Sequence, residues 1–220
     1  MRRYLLLVAF FGSTVSVTAQ VQVRNEPRHH NVFENEFIRI LDVYLGPGDT
    51  TLYHLHNTPS VFIRFTNTNV GSQLFGKQSQ KGANITGEVS YDNLNTPRNH
   101  RVWNEDTGWF HVMDIELTST KQKKNILVLQ NPTLKLLFNE QQVNSYNIEL
   151  KAASNLQLPA SASGYLLISK SETVIEFKIN DAVQNRIMKP SHFIWIDVGN
   201  NFSVKNLEKQ AANFVLLQFK

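Results

Sequence analysis

From Phe37 onward the chain is written in short runs of four to nine residues, rich in Val, Ile, Leu and aromatic side chains and separated by turn formers. The runs are Phe37–Leu45, Leu52–His56, Val61–Thr66, Arg101–Asn104, Trp109–Leu117, Tyr146–Lys151, Tyr165–Ser169, Thr173–Lys178, Phe193–Val198 and Phe214–Phe219. Gly46-Pro47-Gly48-Asp49 and Val198-Gly199-Asn200-Asn201 read as turns. Helical periodicity is scarce. Short extended segments must satisfy their amides against neighbouring strands, so the pattern predicts an all-β sandwich or barrel. The chain has no cysteine, which removes disulfides and thiolate metal ligands and leaves stability to a packed core.

Two stretches interrupt the rhythm. Gly71–Asn95, rich in Gly, Asn, Gln and Ser, is expected to be one long loop. Residues 121–145 are expected to be a linker, with Leu134–Phe138 as an extra strand or short helix inside it. On either side the chain repeats itself loosely. A shift of about 104 residues lays Ser60–Phe65 beside Gly164–Ser169 and puts Leu158 and Ala160 where the first half has His54 and His56. The expected organisation is therefore a barrel over 32–120 and a second, degenerate one over 146–220.

The first residues read as a leader. Arg2 and Arg3 precede an apolar run, Tyr4–Phe11, and Val17-Thr18-Ala19 forms a small-residue cleavage site, so residues 1–19 are expected to be a signal peptide. The apolar run is too short to span a bilayer. A periplasmic or secreted protein follows, with no membrane association once the leader is gone. Its loss takes the formal net charge from +4 to +2. Lys121–Lys124 lacks interleaved aromatics, so no nucleic-acid partner is expected.

Chemistry concentrates in Gly48–His56. Side chains alternate along a strand, so His54 and His56 share a face. A third imidazole would complete three neutral nitrogen donors, and His100 is the candidate. A vestigial pocket with hydrogen-bonded histidines is the alternative. His111 reads as a satisfied core histidine, and His192 as structural. His29 and His30, close behind the leader, are expected to be unstructured. Asp114 and Glu116, opposite His111 on their strand, are expected to face water.

These residues resemble the cupin superfamily. Its first motif, G(X)5HXH(X)3–4E(X)6G, is matched by Gly48, His54 and His56, and its second, G(X)5PXG(X)2H(X)3N, by His100 and Asn104. The resemblance implies a double-stranded β-barrel of jelly-roll type, here as two tandem barrels with the second lacking metal ligands. Where the first motif carries Glu, this chain has Ser60 or Val61. What remains, His54, His56 and His100, is similar to the three-histidine iron site of thiol dioxygenases. The resemblance implies a divalent transition metal, iron first, with Zn, Ni, Cu or Mn as alternatives.

If Ser60 faces inward, alternation turns Phe62 and Arg64 inward as well. A guanidinium inside a barrel needs an anionic partner, and a substrate carboxylate would serve. Ser60, Phe62, Arg64 and Tyr53 are thus the expected substrate-binding residues. Two functions fit. One is a metal-dependent enzyme of dioxygenase or isomerase type acting on a small organic acid. The other is a non-catalytic ligand-binding or structural cupin with a vestigial site. A homodimer through edge strands is also compatible with the fold.

Overall fold

Lateral pairing is the route left for the backbone amides of a chain this poor in helix, and the strands pair into four sheets. A computed structural model describes residues 20–119 and 126–220. The expected leader, 1–19, and the basic run Lys121–Lys124 lie outside the described residues. The first half holds β1 (Val21–Gln22), β2 (His29–Glu34), β3 (Arg39–Leu45), β4 (His54–His56), β5 (Ser60–Arg64), β6 (Thr68–Leu74), β7 (Ser79–Asn84), β8 (Val89–Asp92), β9 (Arg98–Asn104) and β10 (Phe110–Glu116). The second half holds β11 (Leu134–Asn139), β12 (Val143–Leu150), β13 (Asn155–Leu158), β14 (Tyr165–Ser169), β15 (Thr173–Ile179), β16 (Ala182–Met188), β17 (Phe193–Ile196), β18 (Phe202–Asn206) and β19 (Ala212–Phe219).

The strand orders expose a duplication. The first half builds sheets β1-β4-β9-β6-β7 and β2-β3-β10-β5-β8; the second builds β13-β18-β15-β16 and β11-β12-β19-β14-β17. Apart from β1, each strand has a counterpart, and in both halves the chain crosses repeatedly between two facing sheets, as a jelly roll does. A buried asparagine marks the same place in each. Asn104 Nδ2 donates to the Leu45 and Gly108 carbonyls while its Oδ1 accepts from Asp106 N. Asn206 repeats this with the carbonyls of Leu150 and Gln210 and with Glu208 N. Asn104→Ala and Asn206→Ala should each cost about 2–4 kcal/mol, since buried carbonyls and an amide lose their partners together. Denaturant midpoints check this.

The interiors differ. The second barrel is filled by Tyr146, Ile148, Tyr165, Phe177, Phe202 and Phe214 among others, all nearly inaccessible. Its Leu158↔Phe202 pair stands where the first barrel has His54↔His100, so apolar packing replaces the imidazoles as the repeat register anticipates. Between the barrels lies another core. Val61, Ile63, Met113 and Ile115 cluster with Leu166, Ile168, Val215 and Leu217, joining the outer face of sheet β2-β3-β10-β5-β8 to its counterpart. Aromatic contacts at its rim join Phe33 to Phe193 and Trp195 at 5.7 and 5.8 Å.

Two expectations are corrected, and an alternative left open is settled. The segment Gly71–Asn95 is not a loop but most of β6, all of β7, and β8. β7 is an edge strand with little buried surface, so it carries no apolar alternation to read. Leu134–Asn139 is a strand, one of the two alternatives expected inside the linker stretch, and its side chains are largely exposed. Pairing also begins before Val32, at β1 and β2.

A histidine-lined candidate metal centre

Strand β4 is three residues long, and alternation turns both His54 and His56 inward, 1% and 2% exposed. β9 runs antiparallel beside it and sets His100 opposite His54 and Arg98 opposite His56. The ring centroids of His100 lie 4.7 Å from His54 and 5.0 Å from His56. His29 corrects the sequence reading: far from unstructured, it opens β2, is buried, and stands 4.6 Å from the His54 ring. One ligand-type atom from each of His29, His54 and His56 lies within 4.8 Å of the other two. The tightest donor set thus contains His29, with His100 bordering it.

The imidazoles of His29 and His54 are held from behind through Nδ1, and His56 has a carboxylate behind it. His29 Nδ1 meets Glu26 Oε2 at 2.6 Å, and that carboxylate also accepts from the backbone N–H groups of Arg28 and Leu52. His54 Nδ1 donates to the Leu52 carbonyl at 2.9 Å. His56 Nδ1 faces Asp114 Oδ2 at 3.4 Å. Engaging Nδ1 in this way leaves Nε2 as the donor toward a metal, the usual orientation of ligating histidines. Among the buried side-chain atoms without a hydrogen-bond partner is His100 Nε2. Buried imidazole nitrogens without protein partners suit Fe, Zn, Ni, Cu or Mn and do not choose among them.

Burial keeps the rings of His54, His56 and His100 neutral. Burial, with His29 nearby, pushes His54 down to about 4. Burial and His54 push His100 to about 2, and burial with His100 moves His56 in the same direction. Neutral rings are the form that binds metal. Asp114 moves oppositely: burial, with Glu116 beside it, lifts its carboxyl to about 8. Burial opposes ionisation of Glu26 as well, yet its bonds to His29, Leu52 and Arg28 prevail and hold it below the usual carboxylate range.

These shifts set the pH dependence of the metal-free protein. His54 takes a proton near 6.5 when unfolded and near 4 when folded, so unfolding binds a proton between those values. Stability then falls as pH drops through that interval, by about 3 kcal/mol for this group. His56 and His100 act in the same sense. Folded Asp114 holds its proton to about 8 but loses it near 3.8 when unfolded, so its contribution falls as pH rises across that range. The histidines outnumber it below 6.5, and above that only Asp114 acts within this group. Metal-free protein should therefore be most stable close to pH 6.5, as a urea-midpoint series would show.

A cavity of about 520 Å³ adjoins the imidazoles. Phe62 and Arg64 line it, as alternation predicts, together with Asp92, Arg98 and Asp114. Arg64 does not wait for a substrate: it donates to Ser90 Oγ at 3.0 Å and lies 3.6 Å from Glu88. Arg98 is bound to Asp92. Tyr53 is not on the wall. It alternates with His54, so it points outward, where its hydroxyl donates to Gln73 and Arg101 lies 5.1 Å over its ring. Ser60 is fully buried but donates to the Thr58 carbonyl and is absent from the cavity lining.

Asp114 and Glu116 also correct the sequence reading, being 1% and 2% exposed. Both faces of β10 are covered, one by the barrel interior and the other by the second barrel, so no face is left for water. Glu116 pairs with Arg39 at 2.7 Å. His111 is a satisfied core histidine, bonded to Asp42 at 2.7 Å and stacked on Tyr44. Glu26, His29, Arg98 and Asp114 escaped the sequence reading. A Glu-x-x-His spacing at Glu26 and His29 was the one local signal for the first two.

No family model matches the sequence, and no curated protein matches it. Solved structures do. A cupin 2 conserved barrel domain protein from Leptotrichia buccalis superposes with TM-score 0.55 at 10% identity, covering 87% of this chain and 88% of that one. A salicylate 1,2-dioxygenase from Pseudaminobacter salicylatoxidans gives 0.59 at 9% identity, over 83% and 71%. An oxalate decarboxylase from Lactobacillus farciminis, as a formate complex, gives 0.57 at 10%, over 87% and 83%. Identities this low speak to fold alone. With two jelly rolls in tandem, an H-x-H strand inside the first and the likeness to these structures, the chain has the fold of the cupin superfamily in a two-barrel form.

Proposed function

We propose that the first barrel is a divalent-metal centre that takes a small organic molecule into the adjoining cavity, and that it works as a metal-dependent oxygenase-type enzyme. The observation that carries this reading is the convergence of four histidines on the lining of one 520 Å³ cavity, three of them buried and with donor atoms within 4.8 Å of one another. His29, His54 and His56 would hold the metal, with His100 completing or bordering the set. A bound transition metal would supply Lewis acidity and, if redox-active, an electron source for dioxygen chemistry. The chain's own part is to position and to exclude water. Phe62 and Val43 give the cavity apolar wall, while Arg64 and Arg98 add donors. Similar structures that act on salicylate and oxalate make a small organic acid the first substrate class to try. Export belongs to this reading and rests on residues 1–19 of the sequence.

The test is metal content followed by oxygen uptake. Purified protein reconstituted with Fe(II), Zn(II) or Mn(II) should retain close to one equivalent, and the iron form should consume oxygen with at least one of a panel of hydroxybenzoates, keto acids and thiols. Metal retention without turnover would favour the second reading, a ligand-binding cupin. One observation supports that alternative: Arg64 and Arg98 already have acidic partners, so neither cavity guanidinium needs a substrate carboxylate to balance it.

A further inference from the structure

Asp114 is a buried acid with no cation of its own. It is 1% exposed and lines the cavity; the Ser60 hydroxyl lies nearby but donates to the Thr58 carbonyl, so neither carboxylate oxygen has a donor of its own. The other acids near the centre are accounted for. Glu26 is bonded to His29, Asp92 to Arg98 and Glu116 to Arg39. Facing Asp114 at 3.4 Å is His56 Nδ1, which is also buried and without a partner. One group can accept and the other can donate, and an unpaired buried carboxylate is costly.

The Glu26–His29 pair shows the closed form of the same arrangement, at 2.6 Å. There the carboxylate fixes the ring so that Nε2 points away from it. Asp114 is placed to do this for His56 from a different strand, β10, diagonally across from Ser60, which pairs with Glu116 in the ladder. Ser60 is where the cupin motif would carry its glutamate, and a hydroxyl cannot compensate a dication.

We propose that Asp114 is the charge-compensating carboxylate of the centre: it accepts the Nδ1–H of His56 when Nε2 of that ring holds a divalent metal, and replaces in charge the acid absent at Ser60. This rests on the metal-binding reading above. Asp114 is a positioning residue here, acting through His56. Such partners typically account for 10–100-fold in metal affinity.

Chelator competition with Zn(II) and Co(II) separates the possibilities. Asp114→Asn keeps the shape and an acceptor but removes the charge, and should lower affinity by roughly 10–100-fold. The melting temperature of the metal-free variant should not fall, because no ion pair is lost. Unchanged affinity in Asp114→Asn, beside a wild type whose binding disappears in His56→Ala, overturns the role of Asp114 and leaves the metal reading intact. A wild type that binds no better than His56→Ala overturns the metal reading and this inference with it. If Asp114→Asn does not fold, the wild type decides alone. Its zinc form, labelled with 15N-histidine, should show His56 protonated at Nδ1, and protonation at Nε2 refutes the assignment.

Discussion

His54→Ala should bind Zn(II) or Fe(II) on the order of 10²–10³-fold more weakly than the wild type, if total binding energies near those of structural zinc sites are shared among the imidazoles. The residue touches every part of the centre. Its ring lies within 4.9 Å of the rings of His29, His56 and His100, and its Nδ1 is already committed to the Leu52 carbonyl. Removal therefore deletes a donor held in one orientation. The loss should appear in stability too. A ligand at a hundred times its dissociation constant stabilises the folded state by about 2.7 kcal/mol. In a domain pair of this size that is a rise in melting temperature of roughly 5–10 °C. Wild type should show that rise on adding metal and His54→Ala should not. Equal rises in both would refute the centre.

Ile168→Asp should be the most damaging single change outside the centre. Ile168 is inaccessible to solvent and sits in the core shared by the two barrels, beside Val215 and Phe193 in its own sheet. No cation belongs to that cluster, so the new carboxylate would be buried unpaired, costing about 4 kcal/mol or more. Ile168→Val, which only removes a methylene, should cost about 0.5–1.5 kcal/mol. Because the core is contributed by both halves, the first barrel should loosen along with the second. Calorimetry should show one transition moving down as a whole, and metal affinity should fall although Ile168 belongs to the barrel without histidines. Two separate transitions, with metal binding intact, would show that the barrels fold independently.

How much of this could be read from the residues depended on where each strand's two faces look. His54, Phe62 and Arg64 were placed correctly because alternation is local and needs no knowledge of the partner strand. The same alternation turns Tyr53 outward, against its expected role. β10 misled for the opposite reason. Its acids mimic a solvated face, yet that face looks into the cavity while the other meets a second barrel. β7 was invisible because an exposed edge strand has no buried face to pattern.

The order of residues was sufficient to establish short strands in two similar halves, two imidazoles on one face, and the absence of a glutamate at Ser60. It was not sufficient to name the company those imidazoles keep. His100 was named by its motif, but His29, Glu26 and Asp114 reach them from β2, the turn before β2, and β10. Which atoms meet there is set by hydrogen-bond register between strands far apart in the chain and by closure of the barrel. A register slip of one residue would turn each of these side chains away. No local pattern encodes that choice, because it is a property of the closed sheet and not of any one strand.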